Sequence, residues 1–311
     1  MLIKLMTEEK NLKNVTIEFH ADDYGLFPTQ SHRILDCRRN GNLNGVSILP
    51  NSLCMEESVS DLFPFMENLA VTVHLNLIEG NSICKREEIP FLTDEAGRLN
   101  SSFGCLLLRS FLPGRNAYRE QLKKEFRAQI RAVQGKLEPG TPLRLDGHAH
   151  YHMIPVVFDA MMDVIREENL PVSYVRIPRE HSMLYLRHLG KLHDFSAINL
   201  VKVGVLNVLS RWAERKYRQE LKAMDQKLFL GVFLSGRMYY ENVIHILPDA
   251  VALAKKLGKD IEILAHPGGV FEEADIAAIT SKADRKFLTS RMRDRERSMF
   301  LIKNGAFFEE N

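Results

Sequence analysis

The sequence predicts an α/β fold built on a parallel sheet, and three observations carry that reading. Short β-branched, apolar segments alternate with longer segments of helical spacing, which implies parallel strands joined by right-handed crossovers. Residues suited to chemistry gather where strand-like segments end: Asp22 and Asp23 after the first, His74 near the end of the third, Asp146, His148, His150 and His152 after the fourth, and His266 after the last. Ligands of parallel α/β sheets bind at the carboxyl ends of the strands, so these distant groups are expected to converge there. Finally, 311 residues with 45% apolar content can bury one large core. Barrels of this length form single domains, and one unit over residues 1–311 is expected.

Taken in order, residues 14–20 are rich in β-branched and aromatic types and predict a strand that stops at the polar loop Ala-Asp-Asp-Tyr-Gly. Residues 29–39 have helical spacing, with Ile34 and Cys37 on one face, and close at Asn40-Gly41. A short strand at 46–49 is followed by a helix over 55–67 and a strong strand over 69–77 that carries His74. Residues 78–115 dissolve into Gly, Ser, Asn and Pro and predict an insertion that shapes a pocket or lid. A charged amphipathic helix over 118–135 leads through the linker 138–142 to a strand at 143–146. Pro155 opens a helix over 155–168, with Val157, Ala160, Met161 and Val164 at helical spacing. A strand over 171–177 ends before Pro178. Residues 196–223 predict a long helical region in which Val201, Val205, Val208 and Trp212 share one stripe, expected to face the core or a subunit contact. Strands at 228–234 and 260–265 close the series around a helix over 243–257, and 179–226 forms the second insertion.

With 42 basic and 40 acidic residues the net charge is +2, too balanced to argue for nucleic acid or an anionic membrane through overall charge. The basic clusters Lys123-Lys124 and 291–297 are interleaved with acids or lie in helical patterns, which predicts solvated faces. Cys37, Cys54, Cys84 and Cys105 form no C-x-x-C pair, so reduced thiols in a cytoplasmic protein are expected. Residues 1–13 lack the apolar core of a signal peptide. Segment 198–209 is interrupted by Lys202 and falls short of the roughly 20 residues a membrane span needs, so no stable membrane insertion is expected. A homo-oligomer is compatible with all of this.

The chemistry is densest at 144–155, Arg-Leu-Asp-Gly-His-Ala-His-Tyr-His-Met-Ile-Pro. Alternate residues of an extended chain share a face, so Asp146, His148, His150 and His152 are expected to point the same way. Several imidazoles at one point suggest a metal, and spacing alone pairs His148 with His150 as ligands. Two His and one carboxylate leave open positions on a divalent ion, where water loses a proton near neutral pH: a hydrolase design. Asp22 and Asp23 offer a division of labour in which one ligates and the other accepts the proton, although taken alone the pair equally fits an N-cap and a turn acid. His266 precedes Pro-Gly-Gly, a turn that lets a substrate come close, and is placed to protonate a leaving group from the opposite side.

Four motifs, Ala-Asp-Asp-Tyr-Gly, Thr-Val-His-Leu-Asn-Leu, Leu-Asp-Gly-His-Ala-His-Tyr-His-Met-Ile-Pro and Leu-Ala-His-Pro-Gly-Gly, occur in an order and spacing that resembles the YdjC-like carbohydrate deacetylases. That family includes the chitooligosaccharide deacetylases and the hopanoid-biosynthesis-associated HpnK group, and the resemblance runs from about Val15 to Met299. It implies a distorted (β/α) barrel related to the NodB-type polysaccharide deacetylases, and metal-dependent removal of an acetyl group from an N-acetylated sugar. Residue by residue it implies Asp23, His74 and His148 as metal ligands, Asp22 as general base and His266 as general acid. His150 and His152 then support the ligands or line the substrate pocket, and Asp146 becomes the group that orients a ligating imidazole. Tyr24 and Gly147 stand where Phe and Ser are common in the family, and neither departure removes a ligand. Imidazole and carboxylate donors suit Zn, Fe, Co or Mn better than Mg. Family members are nonetheless often described with Mg, so Mg or Zn is expected, with Co or Mn allowed. Two rivals stand beside this reading. One is a metal-dependent phosphoesterase or amidohydrolase, whose His-x-His pair typically lies on the first strand. The other is a non-catalytic carbohydrate-binding protein, for which loss of Asp22 or His266 would be the sign.

Overall fold

The computed structural model describes residues 15–279 and 282–301; the segment 1–13, read above for a leader, lies outside the described residues. In chain order the elements are β1 (Ile17–Tyr24), α1 (Pro28–Asn40), β2 (Gly45–Ile48), α2 (Met55–Leu62), β3 (Ala70–Leu75), α3 (Phe103–Arg109), α4 (Arg115–Gln134), β4 (Leu143–Gly147) and α5 (Pro155–Glu167). They continue with β5 (Val172–Val175), α6 (Met183–Leu186), α7 (Ala197–Lys216), α8 (Arg218–Lys222), β6 (Lys227–Leu230), α9 (Tyr240–Leu257), β7 (Asp260–Ala265), α10 (Glu273–Ala278), α11 (Lys282–Leu288) and α12 (Arg291–Leu301).

Among the described residues the sheet has seven strands, all parallel, in the order β5-β4-β3-β2-β1-β7-β6. This is the strand order of a (β/α) barrel opened between β5 and β6. A backbone hydrogen bond bridges the two edges, from the Asp225 N–H just before β6 to the Ser173 carbonyl in β5 at 2.8 Å. The curl shows in contacts between strands that are not neighbours. Arg144 on β4 donates to Glu18 on β1 at 2.6 Å, and Arg176 just past β5 donates to Glu262 on β7 at 2.9 Å.

The two faces of each strand follow from alternation. Ile17, Phe19 and Ala21, Val73 and Leu75, Leu143 and Leu145, and Ile261 and Ile263 are buried against the helices. Between them, Glu18, His20 and Asp22, His74, Asp146, Arg176 and Glu262 point inward and are equally buried. Four carboxylates thus face three cations, Arg144, Arg176 and Lys227, inside the barrel. An unpaired buried charge costs several kcal/mol, so this interior is tenable only because its members bond one another.

Several expected boundaries move, each for a local reason. The first strand runs through Asp22 and Asp23 rather than stopping before them. The expected helix at 55–67 tightens at Leu62 into a 3-10 turn containing Pro64, which cannot donate to a continuing α-helix. The strand expected at 228–234 ends at Leu230, because Gly231, Val232 and Phe233 donate their N–H groups to the buried Glu180 carboxylate instead of to a neighbouring strand. The helical region at 196–223 breaks at Tyr217, whose hydroxyl donates to Asp159 at 2.5 Å. The insertion 78–115 is not wholly irregular, since it holds α3 and two antiparallel bridges.

One surface expectation is corrected, and a second is narrowed to its alternative outside the core. Lys123 in the first basic cluster is buried and held by Glu120 and Glu167, and Arg293 and Glu296 in the second are among the most buried charges in the protein. The stripe on α7 faces outward: Val201, Val205 and Val208 are exposed, and only Trp212 packs inward, against Phe158. The four cysteines are unpaired. Among the described residues no helix is long and apolar enough to cross a membrane.

Candidate metal centre

The site forms at the carboxyl ends of β1, β3 and β4. Strict alternation would turn Asp22 inward and Asp23 outward. The register against β2 shifts by one residue between Ala21 and Tyr24, and Asp23 adopts a left-handed backbone with φ of 67°. This bulge, rare between parallel strands, re-aims Asp23 so that both carboxylates face the site.

The His-rich motif departs further from expectation. Residues His148–Met153 form a tight 3-10 turn in which Ala149 and His150 are left-handed, with φ of 50° and 60°. Each such residue costs about 1–2 kcal/mol, and three of them border one site. The extended-chain alternation is therefore lost, and the four groups do not share a face. His148 joins Asp23 and His74. His152 folds beneath, where its Nε2–H donates to the Arg176 carbonyl at 2.8 Å. Gly147 makes this possible, because a Cβ there would lie 2.9 Å from the His152 ring. His150 packs edge-on against Phe229 and does not pair with His148 as spacing alone suggested.

Asp23 Oδ1, His74 Nε2 and His148 Nδ1 converge, separated by 3.5 Å between Asp23 and His74, 2.9 Å between Asp23 and His148, and 3.3 Å between the two imidazoles. Donors placed about 2.1 Å from one ion at tetrahedral or octahedral angles stand roughly 3.0–3.4 Å apart, so the three atoms fit one metal. Asp23 Oδ1 is buried and makes no aligned hydrogen bond, as a donor kept for an ion would be. Each imidazole is also turned by a carboxylate on its far nitrogen. The His74 Nδ1–H donates to Asp146 Oδ1 at 2.7 Å, and the His148 Nε2–H meets Glu79 Oε1 at 2.8 Å, so that each ring, once it gives up its second proton, turns its lone pair toward Asp23. The other carboxylate and imidazole groupings inside the barrel do not fit, because Glu18, Glu262 and Asp146 are already bonded to Arg144, Lys227 and Arg176.

The charges report the same preference. Burial pushes Asp23 up, but the neighbouring His148 ring overcomes it and holds the carboxyl well below its ordinary range. Burial would lower His74, yet Asp146 and Asp22 push it up to about 9. Burial acts the same way on His148, and Asp23 and Glu79 outweigh it and hold that ring well above the ordinary imidazole range. The cluster gathers positive charge around its carboxylates, and a cation satisfies that demand as well as protons do.

Asp22 stands outside the triad, 3.9 Å from His74 Nε2. Arg176 Nη1 donates to both its oxygens, at 3.0 and 2.9 Å, and to Asp146 at 2.6 Å. Burial would raise Asp22, but Arg176 and then His74 hold it below the usual carboxylate range, so it is ionised. His266 lies within electrostatic reach of Asp23 and Asp22, with its ring against Phe287. Burial holds the ring below the ordinary imidazole range. Glu296 anchors the loop that carries it, accepting the N–H groups of His266 at 2.8 Å and Met238 at 2.9 Å. One turn earlier on α12, Arg293 donates to Asp23 Oδ2 at 3.2 Å.

Sequence reasoning passed over Arg176, Glu79, Arg293 and Glu296. Arg176 left a signal, a charge at an inward position of an otherwise apolar strand. The two residues on α12 left none, since a helix reading Arg-Met-Arg-Asp-Arg-Glu-Arg looks solvated.

The sequence model of the family described as YdjC-like protein matches residues 16–304. A carbohydrate deacetylase of Thermoanaerobacter pseudethanolicus is 24% identical over 278 residues, covering 88% of this chain and 90% of that protein. A carbohydrate deacetylase of Danio rerio is 26% identical over 178 residues, 57% of this chain and 54% of the relative. A chitooligosaccharide deacetylase of Yersinia pestis is 28% identical over 163 residues, 50% of this chain and 58% of the relative. The last two matches span little more than half the length of those relatives. A crystal structure from Enterococcus faecalis V583, named for cellobiose-phosphate cleavage, superposes with a TM-score of 0.60 over 93% of this chain and 97% of its own, at 19% identity. That likeness shows the shared fold alone.

Proposed function

Because the chain belongs to the YdjC-like protein family, whose model spans nearly all of it, we propose that it is a metal-dependent hydrolase that removes the acetyl group from an N-acetylated amino sugar. The observation that carries the reading is one arrangement: three convergent donors, Asp23, His74 and His148, beside an ionised carboxylate, Asp22, that Arg176 keeps apart from them. The names of the deacetylase relatives support the substrate class.

Asp23, His74 and His148 would hold the divalent ion, which when bound supplies Lewis-acid polarisation of the acetamide carbonyl and acidifies a water. Asp22, its lone pairs fixed by Arg176, takes a proton as the water oxygen bonds to the carbonyl carbon. His266 gives a proton to the sugar nitrogen as the C–N bond breaks, so that an amine leaves rather than an amide anion. The products are acetate and the free amino sugar. Asp146 and Glu79 orient the ligating rings, while His152 and His150 support the turn that carries His148. Two nitrogens and one oxygen favour Zn, Co or Mn over Mg.

The test is acetate release from N,N′-diacetylchitobiose and a panel of N-acetyl sugars, using protein stripped of metal and reconstituted separately with Zn, Co, Mn and Mg. Release that depends on the added ion is expected. Stoichiometric metal binding without acetate from any sugar would overturn the substrate class, and preferential turnover of a phosphoester would favour the rival.

A further inference from the structure

The helix α7 is apolar on two sides. Val203, Leu206, Leu209 and Ala213 face the protein, as the inner stripe of a surface helix should. The outer side carries Ile198, Val201, Val205 and Val208, which are 64%, 66%, 38% and 63% exposed. A helix that is apolar all round is normally covered all round, so among the described residues this outer stripe lacks a partner. Its composition indicates which one. Between Ala197 and Ala213 there is no acidic residue, and the polar exposed positions include Lys202 and Arg211, followed by Arg215. Among the described residues none of these three cations has an ion-pair partner. A groove of about 490 Å³ continues the stripe, lined by Val208, Arg211, Trp212, Arg215 and Lys216.

We propose that the outer face of α7 docks on an anionic lipid surface, with Ile198, Val201, Val205 and Val208 entering the headgroup boundary and Lys202, Arg211 and Arg215 meeting lipid phosphates. Apolar residues bordered by cations, with a Trp at the edge, are what a helix lying in a membrane interface presents. A second copy of this chain fits poorly, because a twofold contact through the same face would set cations against cations with no acid to receive them. Nucleic acid fits poorly as well, because the middle of the face is aliphatic. The docking is peripheral, since α7 is neither long nor apolar enough to span a bilayer. It also agrees with the modest net charge of +2, because the attraction is local to one face. The proposal does not depend on the deacetylase reading.

The experiment is co-sedimentation of the full chain with vesicles of phosphatidylcholine alone and of phosphatidylcholine mixed with phosphatidylglycerol, at low and high salt. Binding to the anionic vesicles that weakens with salt is expected. Arg211→Gln and Arg215→Gln should each weaken it by roughly fivefold, and Val201→Asp with Val205→Asp should abolish it. Both changes lie on exposed positions away from the metal centre, so metal binding and Tm should stay at wild-type values. No sedimentation with anionic vesicles, or sedimentation that survives the Val201→Asp, Val205→Asp change, overturns the proposal. A concentration-dependent dimer abolished by the same change also overturns it, in favour of a second copy.

Discussion

His148 is the residue on which the candidate metal centre is most exposed to change. It comes from a strained turn, it is the one ligand candidate not fixed within a strand, and a single carboxylate, Glu79, turns its ring. His148→Ala should therefore abolish tight metal binding measured by calorimetry. Glu79→Gln keeps a hydrogen-bond acceptor but loses the charge, and should weaken binding by about 10–100-fold. Unchanged affinity in both variants would remove His148 from the ligand set. At this scale the sequence was partly legible. Asp23, His74 and His148 meet in space, whereas spacing alone paired His148 with His150. Their geometry was not legible, because it depends on one bulged residue and two left-handed ones, and nothing in the local composition at Asp23 or Ala149 demands those conformations.

Among the elements, α12 carries the largest surprise. Its outer face is charged and exposed, while its inner face places Arg293 against Asp23 and Glu296 beneath the loop of His266. Glu296→Ala leaves two buried N–H groups without an acceptor, which costs roughly 1–3 kcal/mol, and it frees the His266 loop. A fall in both Tm and turnover is expected, whereas Asp294→Ala on the exposed face should change neither. Equal behaviour of the two variants would separate α12 from the site. The inner face could not be read from sequence because charge, not apolarity, marks it, and periodicity methods see only apolar stripes. The converse holds on α7, where an apolar stripe predicted a core or subunit-contact face and the structure keeps Val201, Val205 and Val208 out of the core. The alternation of strands and helices, by contrast, depends on local propensity and was readable throughout.

The whole molecule is organised around a barrel interior that is polar rather than apolar, and this has a consequence for acid stability. Burial would raise Glu18, Asp22 and Asp146, but hydrogen bonds and nearby cations outweigh it and hold all three below their ordinary range. A carboxyl depressed in the folded state adds stability that is present above its unfolded pKa, near 4, and lost as pH falls through the folded value. His152 acts in the same direction at higher pH. Burial pulls its ring from 6.5 to about 4, so the unfolded chain takes up a proton between those values that the folded chain refuses. Tm of the metal-free protein should fall as pH drops from 6.5 to 4, and His152→Asn should flatten that slope. A Tm insensitive to pH across this window would contradict the account. Cross-barrel pairs such as Arg176 with Asp22 and Glu262 were beyond sequence reading, because they exist only once the sheet curls.

The proposed chemistry has Asp23, His74 and His148 holding the ion while Asp22, beside them, serves as base. Metal occupancy and acetate release measured on one preparation of Asp22→Asn test it most directly. Asparagine keeps the shape and cannot accept the proton, so full occupancy with turnover reduced by about 10²–10⁴-fold is predicted. Near wild-type turnover, or loss of the ion together with activity, would contradict the division of roles between the two adjacent aspartates.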